Sequence, residues 1–399
     1  MPSPPDISIE VFGKTDVGLI REHNEDNFLV ADVTAAVRTN EIKEPLKFPL
    51  GDRGVLFLVC DGMGGAAAGE VASRMAVESI VDAMAASEPQ ERDAFARSVR
   101  HAIEVANERI YVQSRDNQSE RGMGTTCTAA ALVDQTLIVG QIGDSRCYVL
   151  RNGRLAQVTK DQSLAWQLIE AGAMTAEEAK AFEHANIILQ ALGVQERVEV
   201  VLSQVELRQG DVIVLCSDGL HGPVGDDEML ELLQHETDLQ KAADGLIQKA
   251  LDRDGPDNIT VVLARFGGTA LSLPGENDLV GFVGYDPGPG SETPSSDPSS
   301  FDHTLASTAT VNERIPQELL GDDAVTEGVV ERSARNGRAS GRSSGPSALS
   351  GSTIRTARSV LAFFFLALVA AAAGGILAVA KCGSDHGSQT SVRNGGGTP

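Results

Sequence analysis

The sequence predicts an α+β domain over residues 1–268, joined by a linker to a C-terminal transmembrane helix. Three observations support this prediction. Short apolar segments typical of strands follow one another along the chain, two amphipathic segments follow the first strands consecutively, and 21 residues near the C-terminus carry no charge. A βαβ repeat would alternate the two element types, so the pattern favours a layered α+β domain.

The predicted strands are short apolar runs, often β-branched, that close at a Gly or an Asp. They cover residues 54–60, 127–133, 136–143, 212–218 and 259–266. The predicted helices show an apolar period of about 3.6 residues. They cover residues 68–87, 90–115, 163–172, 175–183, 227–235 and 238–252.

The composition excludes several classes of function. Lys plus Arg number 33 against 56 Asp plus Glu, and the net charge of −23 disfavours a nucleic-acid partner, which needs a basic face. The five cysteines are odd in number and include no CxxC pair, which fits neither a disulfide framework nor a zinc site and indicates a reducing compartment. The first residues lack the basic and apolar segments of a signal peptide.

The segment after the domain changes in composition. Residues 269–358 are rich in Gly, Ser, Pro and Thr, which predicts a flexible linker with a basic end. Within this linker, residues 301–320 are interpreted either as a docking or phosphorylation segment or as plain tether. Residues 359–381 are predicted to form a transmembrane helix, because the uncharged run has the length of about 20 residues that crosses a hydrocarbon core.

Charge around the predicted span indicates its orientation. Residues 332–358 contain six arginines and no acidic residue. Since positive charge marks the cytoplasmic side, the large domain is expected in the cytoplasm and residues 382–399 outside the cell membrane as a short tail. The predicted localisation is a single-pass cell-membrane protein.

Two carboxylates in the domain stand where an apolar strand ends. Asp61 follows GVLFLVC and Asp218 follows VIVLCS, and a Gly comes next in each case. Both strands are too apolar to be exposed, so the carboxylates are expected at the rim of a buried sheet, where they need a partner. Hard cations such as Mg²⁺ and Mn²⁺ prefer carboxylate oxygen, which suggests a metal site. A plain turn is the alternative for each Asp-Gly.

Arg21 and Glu25 are four residues apart and would share a face if this segment formed a strand. The planar guanidinium suits a phosphoryl group, so an Arg beside metal carboxylates suggests phosphate ester chemistry. An ordinary surface ion pair is the alternative. Asp257 and Asn258 precede the last predicted strand, and in isolation they indicate only a turn.

Seven motifs occur in a fixed order: TDVGLIREHNEDNFL, LVCDGMGGAAAGEVAS, GMGTTCTAA, GQIGDSRCYVLRNGRLAQVTKDQSL, QALGVQ, RQGDVIVLCSDGLHGPV and GPDNITVV. Over residues 8–266 the chain thereby resembles the metal-dependent serine/threonine phosphatases of the protein phosphatase 2C family, bacterial type. The resemblance implies a four-layer α-β-β-α sandwich of two antiparallel sheets flanked by helices. It also implies hydrolysis of phosphoserine and phosphothreonine by a water that two Mn²⁺ or Mg²⁺ ions activate.

The resemblance further implies roles for individual residues. The implied metal ligands are Glu25, Asp61, the main-chain carbonyl of Gly62, Asp218 and Asp257. Among them, Asp61 would bridge the two ions. Arg21 would hold the substrate phosphate. The resemblance implies that Asp61 and Arg21 are the catalytic residues. Asp26 would stand behind the ligands without touching a metal.

A third, weaker ion is common in bacterial relatives and binds through the Asp of a Gly-Asp-Ser-Arg motif, which is Asp144 here, together with the Asp218 position. Asp144 closes the apolar run TLIVGQIG, so it too is expected at the sheet rim with a carboxylate that needs a partner. The alternative is an ion pair with Arg146, which would satisfy Asp144 without a metal.

The chain departs from its relatives at the general acid. Met63 and Ala66 occupy positions where relatives carry a His, so a metal-bound water is expected to protonate the leaving group. His23, His184 and His221 match no acid of the family and are interpreted as bystanders.

These implications favour a membrane-tethered signalling phosphatase with a monomeric catalytic domain. Its expected partners are phosphoprotein substrates, and a serine/threonine kinase on the same membrane is a natural candidate. The alternative is a pseudophosphatase that binds phosphoprotein without turnover, but the retained Asp61 and Asp218 argue against it. A sensor that uses the outside tail is disfavoured, because 18 residues cannot fold a binding domain.

Overall fold

The computed structural model describes residues 6–64, 68–88, 91–180, 182, 184 and 187–288. Within them the chain forms fourteen strands, seven α-helices and one 3-10 helix, Gln118–Glu120. The strands are β1 Ser8–Asp16, β2 Asn27–Asp32, β3 Val37–Thr39, β4 Leu46–Pro49, β5 Val55–Cys60, β6 Gly62–Met63, β7 Gly124–Thr125, β8 Cys127–Val133, β9 Thr136–Ile142, β10 Arg146–Arg151, β11 Arg154–Gln157, β12 Val201–Glu206, β13 Val212–Cys216 and β14 Ile259–Gly267. The helices are α1 Ala68–Ala86, α2 Arg92–Asp116, α3 Leu164–Glu170, α4 Ala176–Lys180, α5 Asp218–His221, α6 Asp226–His235 and α7 Leu239–Leu251.

Two six-stranded antiparallel sheets form the centre of the domain. The first sheet has the order β11-β10-β13-β14-β1-β4, and the second has the order β12-β9-β8-β5-β2-β3. The short strands β6 and β7 pair separately. The predicted pair of antiparallel sheets is therefore confirmed.

Both faces of the central strands are covered. Phe57 of β5 belongs to the core shared with the first sheet and meets Phe266 edge-on, with ring centroids 6.1 Å apart. The next residue, Leu58, belongs to the core that α1 and α2 cover. Helix α7 packs on β1 and β14. The layers are thus helix, sheet, sheet and helix, and this double covering explains why β5 reads as one continuous apolar run.

The predicted elements are recovered to within three residues at each end, but the more polar strands and the short helix α5 are additional. One local prediction is wrong. Arg21 and Glu25 do not share the face of a strand, because residues 17–26 form the turn and loop between β1 and β2.

The chain remains packed on the domain beyond residue 268, where the sequence predicts the start of a flexible linker. Residues 269–288, here called the strap, run along the edge strand β12. The amide of Tyr285 donates to the carbonyl of Leu202 at 2.9 Å, and Asp278 pairs with Arg208 at 2.9 Å. The carbonyl of Val283 accepts from the amide of Gln204 at 3.1 Å. The described domain therefore includes the strap.

The rest of the predicted linker, the predicted transmembrane helix 359–381 and the tail 382–399 lie outside the described residues. In the part of the chain that the structure does describe, no helix combines the length and apolarity needed to cross a membrane.

A substitution within the strap measures how much it stabilises the domain. Leu271 is 4% exposed and Leu273 is 75% exposed. We expect Leu271→Ala in the full chain to lower the free energy of unfolding by about 2–4 kcal/mol, because it leaves a cavity in the core. Leu273→Ala, the matched control, should change it by less than about 0.5 kcal/mol. Denaturant unfolding with equal effects for both variants would contradict a structural role for the strap.

Candidate metal centre

The candidate ligands lie at one rim of the sandwich, because antiparallel neighbours begin and end there. The end of β5 pairs with the start of β2, which places Asp61 near Glu25. The end of β13 pairs with the start of β14, which places Asp218 near Asp257. Asp144 lies in the turn from β9 to β10, and the start of β10 pairs with the end of β13. Both sheets therefore contribute carboxylates to the same rim.

The negative charges of these carboxylates repel one another, which disfavours the ionised form of each group. Part of Asp61 is accessible to solvent, yet burial of its carboxyl group raises its pKa well above the usual range, and the charges of Asp26, Asp218, Asp144 and Asp257 raise that pKa further. Burial and the charge of Asp257 likewise raise the pKa of Asp218, against the opposing effects of a hydrogen bond with Asp61 and the positive charge of Arg21. A cation at the rim would relieve this repulsion.

Several carboxylate oxygens at the rim are buried and lack a hydrogen-bond partner among the described residues. They are Oδ1 of Asp26, Oδ1 of Asp144 and Oδ1 of Asp218. Burying a polar oxygen without a partner costs free energy, and carboxylates in such positions are ordinarily paired or bound to metal. The unpaired oxygens and the all-oxygen donor set fit Mn²⁺ or Mg²⁺.

The described rim side chains do not form a ready-made ligand cage. Within the described residues, no three His, Cys, Asp or Glu side chains are arranged so that they could hold a metal ion as they stand. The carboxylates influence one another's pKa, but no three of the described ones converge as ligands of a single ion. Mutual repulsion favours this separation. The fit therefore rests on burial and donor chemistry rather than on a preformed ligand cage.

Asp26 joins the two sheets directly behind the rim. Its Oδ2 accepts hydrogen bonds from the hydroxyls of Ser217 and Thr260, each at 2.7 Å. Burial raises the pKa of Asp26 to about 7 in spite of these two hydrogen bonds. Asp26 precedes a strand of the second sheet, whereas both hydroxyls belong to the rim of the first. The carboxylate thus connects the rims of the two sheets at the site.

The start of α1 lies against Glu25 and Gly62. The amide of Gly62 donates to the carbonyl of Glu25 at 3.1 Å. A Cβ at Gly62 would come within 2.3 Å of the carbonyl oxygen of Gly69, and a Cβ at Gly69 would come within 2.8 Å of the Glu25 carboxyl group. Only glycine permits this approach.

Asn258 organises the loop that carries Arg21 and Glu25, a role that sequence reasoning missed. Its Nδ2 donates to the carbonyls of Val17 and His23 at 2.9 and 3.0 Å. Its Oδ1 accepts from the amide of Glu25 at 2.8 Å. One side chain therefore fixes both ends of the loop. The only sequence signal was the Asp-Asn pair before the last strand, which by itself indicates a turn.

Arg21 contacts one of the candidate ligands. Its Nη2 donates to Oδ2 of Asp257 at 2.7 Å, and the Arg21 and Asp257 side chains are 49% and 30% exposed. The structure therefore brings the predicted phosphate-binding residue to the carboxylate rim. The same pair also satisfies the alternative description of a surface ion pair.

Asp144 is not paired with Arg146. Instead, Arg146 donates to both carboxylate oxygens of Asp161, at 2.7–3.1 Å, and to the hydroxyl of Tyr148 at 3.0 Å. Asp144 is 6% exposed, and burial together with the charge of Asp218 raises its pKa to about 7. The ring Nε2 of His221 lies 3.0 Å from the main-chain carbonyl of Asp144. Arg146 therefore leaves the Asp144 carboxylate available to a cation.

An α-β-β-α sandwich with an all-oxygen carboxylate rim and an adjacent guanidinium defines a class of metal-dependent hydrolases. Comparison with known proteins specifies the family. Residues 47–263 match the sequence model described as "Protein phosphatase 2C". The chain belongs to the protein phosphatase 2C family, as the sequence predicts.

Named relatives agree with this assignment. "Serine/threonine phosphatase stp" of Listeria monocytogenes is 37% identical over 254 residues, which cover 63% of this chain and 93% of that protein. "Serine/threonine protein phosphatase PstP" of Mycobacterium tuberculosis is 38% identical over 251 residues, which cover 63% of this chain and 44% of that protein. The predicted enzyme class, protein serine/threonine phosphatase, is confirmed at the level of the family.

Solved structures agree as well. The crystal structure of the Mycobacterium tuberculosis serine/threonine phosphatase PstP/Ppp matches with a TM-score of 0.55 and 35% identity, over 65% of this chain and 98% of that one. The PstP catalytic domain "in complex with 2 Manganese ions" matches with a TM-score of 0.54 and 34% identity, over 65% and 99% of the two chains. Mn²⁺ and Mg²⁺ are the ions of this family, in agreement with the predicted cofactors.

The raised carboxyl pKa values predict how the metal-free protein responds to pH. The folded state binds more protons than the unfolded state between the usual Asp range and pH 7, so stability is present at low pH and is lost as pH rises through the folded pKa. In chelator, we expect Tm to fall by on the order of 10 °C from pH 5 to pH 8. Mn²⁺ should restore it at pH 8. Thermal unfolding with Tm rising over this range in chelator would contradict the prediction.

Proposed function

We propose that this chain is an active phosphatase that hydrolyses phosphoserine and phosphothreonine in proteins, with a cytoplasmic catalytic domain tethered to the membrane. The observation that carries the catalytic part is that both sheets place buried, partly unpaired carboxylates at the same rim, beside Arg21. Membership of the family supports the reaction class. A binding module without turnover would have no need to keep these carboxylates desolvated.

We assign the metal ligands residue by residue. Asp61, at the end of a central strand, would serve both ions, because the charges of Asp26, Asp144, Asp218 and Asp257 all act on its carboxyl group. Asp218 and Asp257 would hold one ion, and Glu25 with the main-chain carbonyl of Gly62 would hold the other. When bound, the ions supply an acidified water nucleophile and neutralise charge on the phosphoryl oxygens.

The remaining residues bind and position the substrate. Arg21 donates parallel hydrogen bonds to the phosphate, since a guanidinium matches the geometry of two phosphate oxygens. Its present contact with Asp257 holds it at the rim before substrate binds. Asn258 fixes the loop that carries Arg21, and Asp26 fixes the two sheets relative to each other. Preorganised donors thus stabilise the negative charge on the equatorial phosphoryl oxygens.

Asp61→Asn tests the catalytic proposal. We expect the variant to lose at least about 10³-fold in kcat on a phosphothreonine peptide, since the bridging ligand serves both ions. Asp52→Asn, at the opposite end of β5 and exposed, should retain wild-type activity. Excess chelator should abolish the wild-type activity. Phosphopeptide binding without any turnover by the wild type in Mn²⁺ would favour the pseudophosphatase instead.

We also propose that Asp144 and Asp218 hold a third, weaker ion. The support is the unpaired, buried oxygen on each of them and the commitment of Arg146 to Asp161. Two cations that share Asp218 need a second carboxylate to offset their repulsion.

Calorimetric titration with Mn²⁺ tests this third site without measuring activity. Asp144→Asn should lose the weakest binding event and retain the two tighter ones. Asp134→Asn, at the opposite end of β9 and exposed, should retain all three. Identical isotherms for the wild type and Asp144→Asn would show that Asp144 holds no ion.

The membrane tether is supported by the amino-acid sequence. The uncharged residues 360–380 and the six arginines before them favour a single span with the catalytic domain in the cytoplasm. The tether would restrict the enzyme to phosphoproteins near the membrane, among which a serine/threonine kinase of the same membrane is the proposed partner.

Cell fractionation tests the tether. The full chain should remain with membranes after alkaline extraction, and a chain ending near Ser350 should be released in soluble, active form. Protease added outside intact cells should leave the catalytic domain whole. Digestion of that domain from outside would contradict the proposed orientation, and full release of the intact chain by alkali would contradict the span.

A further inference from the structure

Two large aliphatic side chains stand in solvent directly before Arg21. Leu19 is 64% exposed and Ile20 is 67% exposed. Single exposed aliphatic residues are ordinary on protein surfaces. Here two are adjacent, and they immediately precede the guanidinium that meets the carboxylate rim.

The backbone that carries these side chains is held firmly. The amide of Leu19 donates to the carbonyl of Gly255 at 2.9 Å, and Asn258 holds the carbonyl of Val17 at 2.9 Å. Gly18 has a φ of +77°, and a Cβ there would lie 2.1 Å from the carbonyl oxygen of Asp257. The loop therefore rests directly on the segment that carries the metal-ligand Asp257, and its position relative to the site is fixed.

We propose that Leu19 and Ile20 form an apolar lip that binds an apolar side chain next to the phosphorylated residue of the substrate, and so determine substrate specificity. The inference rests on the proposed function. A phosphate bound by Arg21 brings the neighbouring substrate residues over this loop, because successive residues of an extended peptide are about 3.3 Å apart. Leu19 and Ile20 precede Arg21 by two residues and one residue, so the lip is within reach of the first and second neighbours.

The physical gain comes from removing apolar surface from water. A rigid loop loses little conformational entropy on binding, so most of this gain appears as affinity. Burial of one aliphatic side chain against the lip is worth about a tenfold change in kcat/KM. A polar neighbour in the substrate would gain nothing from the same contact. The lip therefore discriminates between substrates rather than accelerating the phosphoryl transfer itself.

The test compares two phosphothreonine peptides that differ only in the flanking residues, Leu in one and Ser in the other. The wild-type full chain in Mn²⁺ should prefer the Leu-flanked peptide by about tenfold in kcat/KM. In the double variant Leu19→Ser/Ile20→Ser this preference should fall to about twofold or less, mainly through KM. Leu19→Met/Ile20→Val should preserve it. Val37→Ser, on the edge strand β3 and 58% exposed in the wild type, should leave the preference unchanged.

Other outcomes separate this inference from the proposed function. An equal loss on both peptides in the double variant, accompanied by a lower Tm, would show a structural role for the lip and overturn the inference. An unchanged preference would overturn it as well. Arg21→Ala should lower kcat/KM on both peptides alike. Failure of the wild type to hydrolyse either peptide would instead refute the proposed phosphatase activity.

Discussion

Repulsion among carboxylates that are withdrawn from water is the constraint on which this domain depends. Asp61, Asp144 and Asp218 lie at the ends of strands in a buried sandwich. The charges of Asp144 and Asp218 raise the pKa of Asp61, and the charge of Asp218 raises the pKa of Asp144. Without cations the fold must hold these groups together against their charges. The large cores on both sides of the second sheet supply the stability that makes this arrangement tolerable. Binding of cations would relieve this repulsion.

The two-sheet architecture turns this constraint into a site. A single sheet would place its carboxylates in one row, whereas two facing sheets bring them to a common rim from opposite sides. Asp26 connects the sheets there through Ser217 and Thr260, which lie 191 and 234 residues away in sequence. The side chain of Asn258 fixes the loop after β1 by hydrogen bonds to its backbone. The geometry of the carboxylate rim therefore depends on contacts between segments that are far apart in the sequence.

The sequence predicts those elements whose secondary structure depends mainly on neighbouring residues in the chain. Strand β5 is a continuous apolar run, and α7 shows a clear helical period, so both were predictable. The loop that carries Arg21 was not, because its path follows from hydrogen bonds to Asn258 more than 230 residues away. The Arg146 to Asp161 pair was also missed, since nothing local distinguishes Asp161 from Asp144 as the partner. Family motifs located the rim carboxylates but not the residues that hold them in place.

The strap has a consequence for how copies of the domain meet. Exposed edges of β-sheets can pair with edges of other molecules. Here β3 has three residues, and β4 and β11 have four each, which leaves little to pair with. The six-residue β12 is the long edge, and the strap hydrogen-bonds along it through Val283 and Tyr285. The segment that follows the last strand thereby shields the sheet from edge-to-edge aggregation.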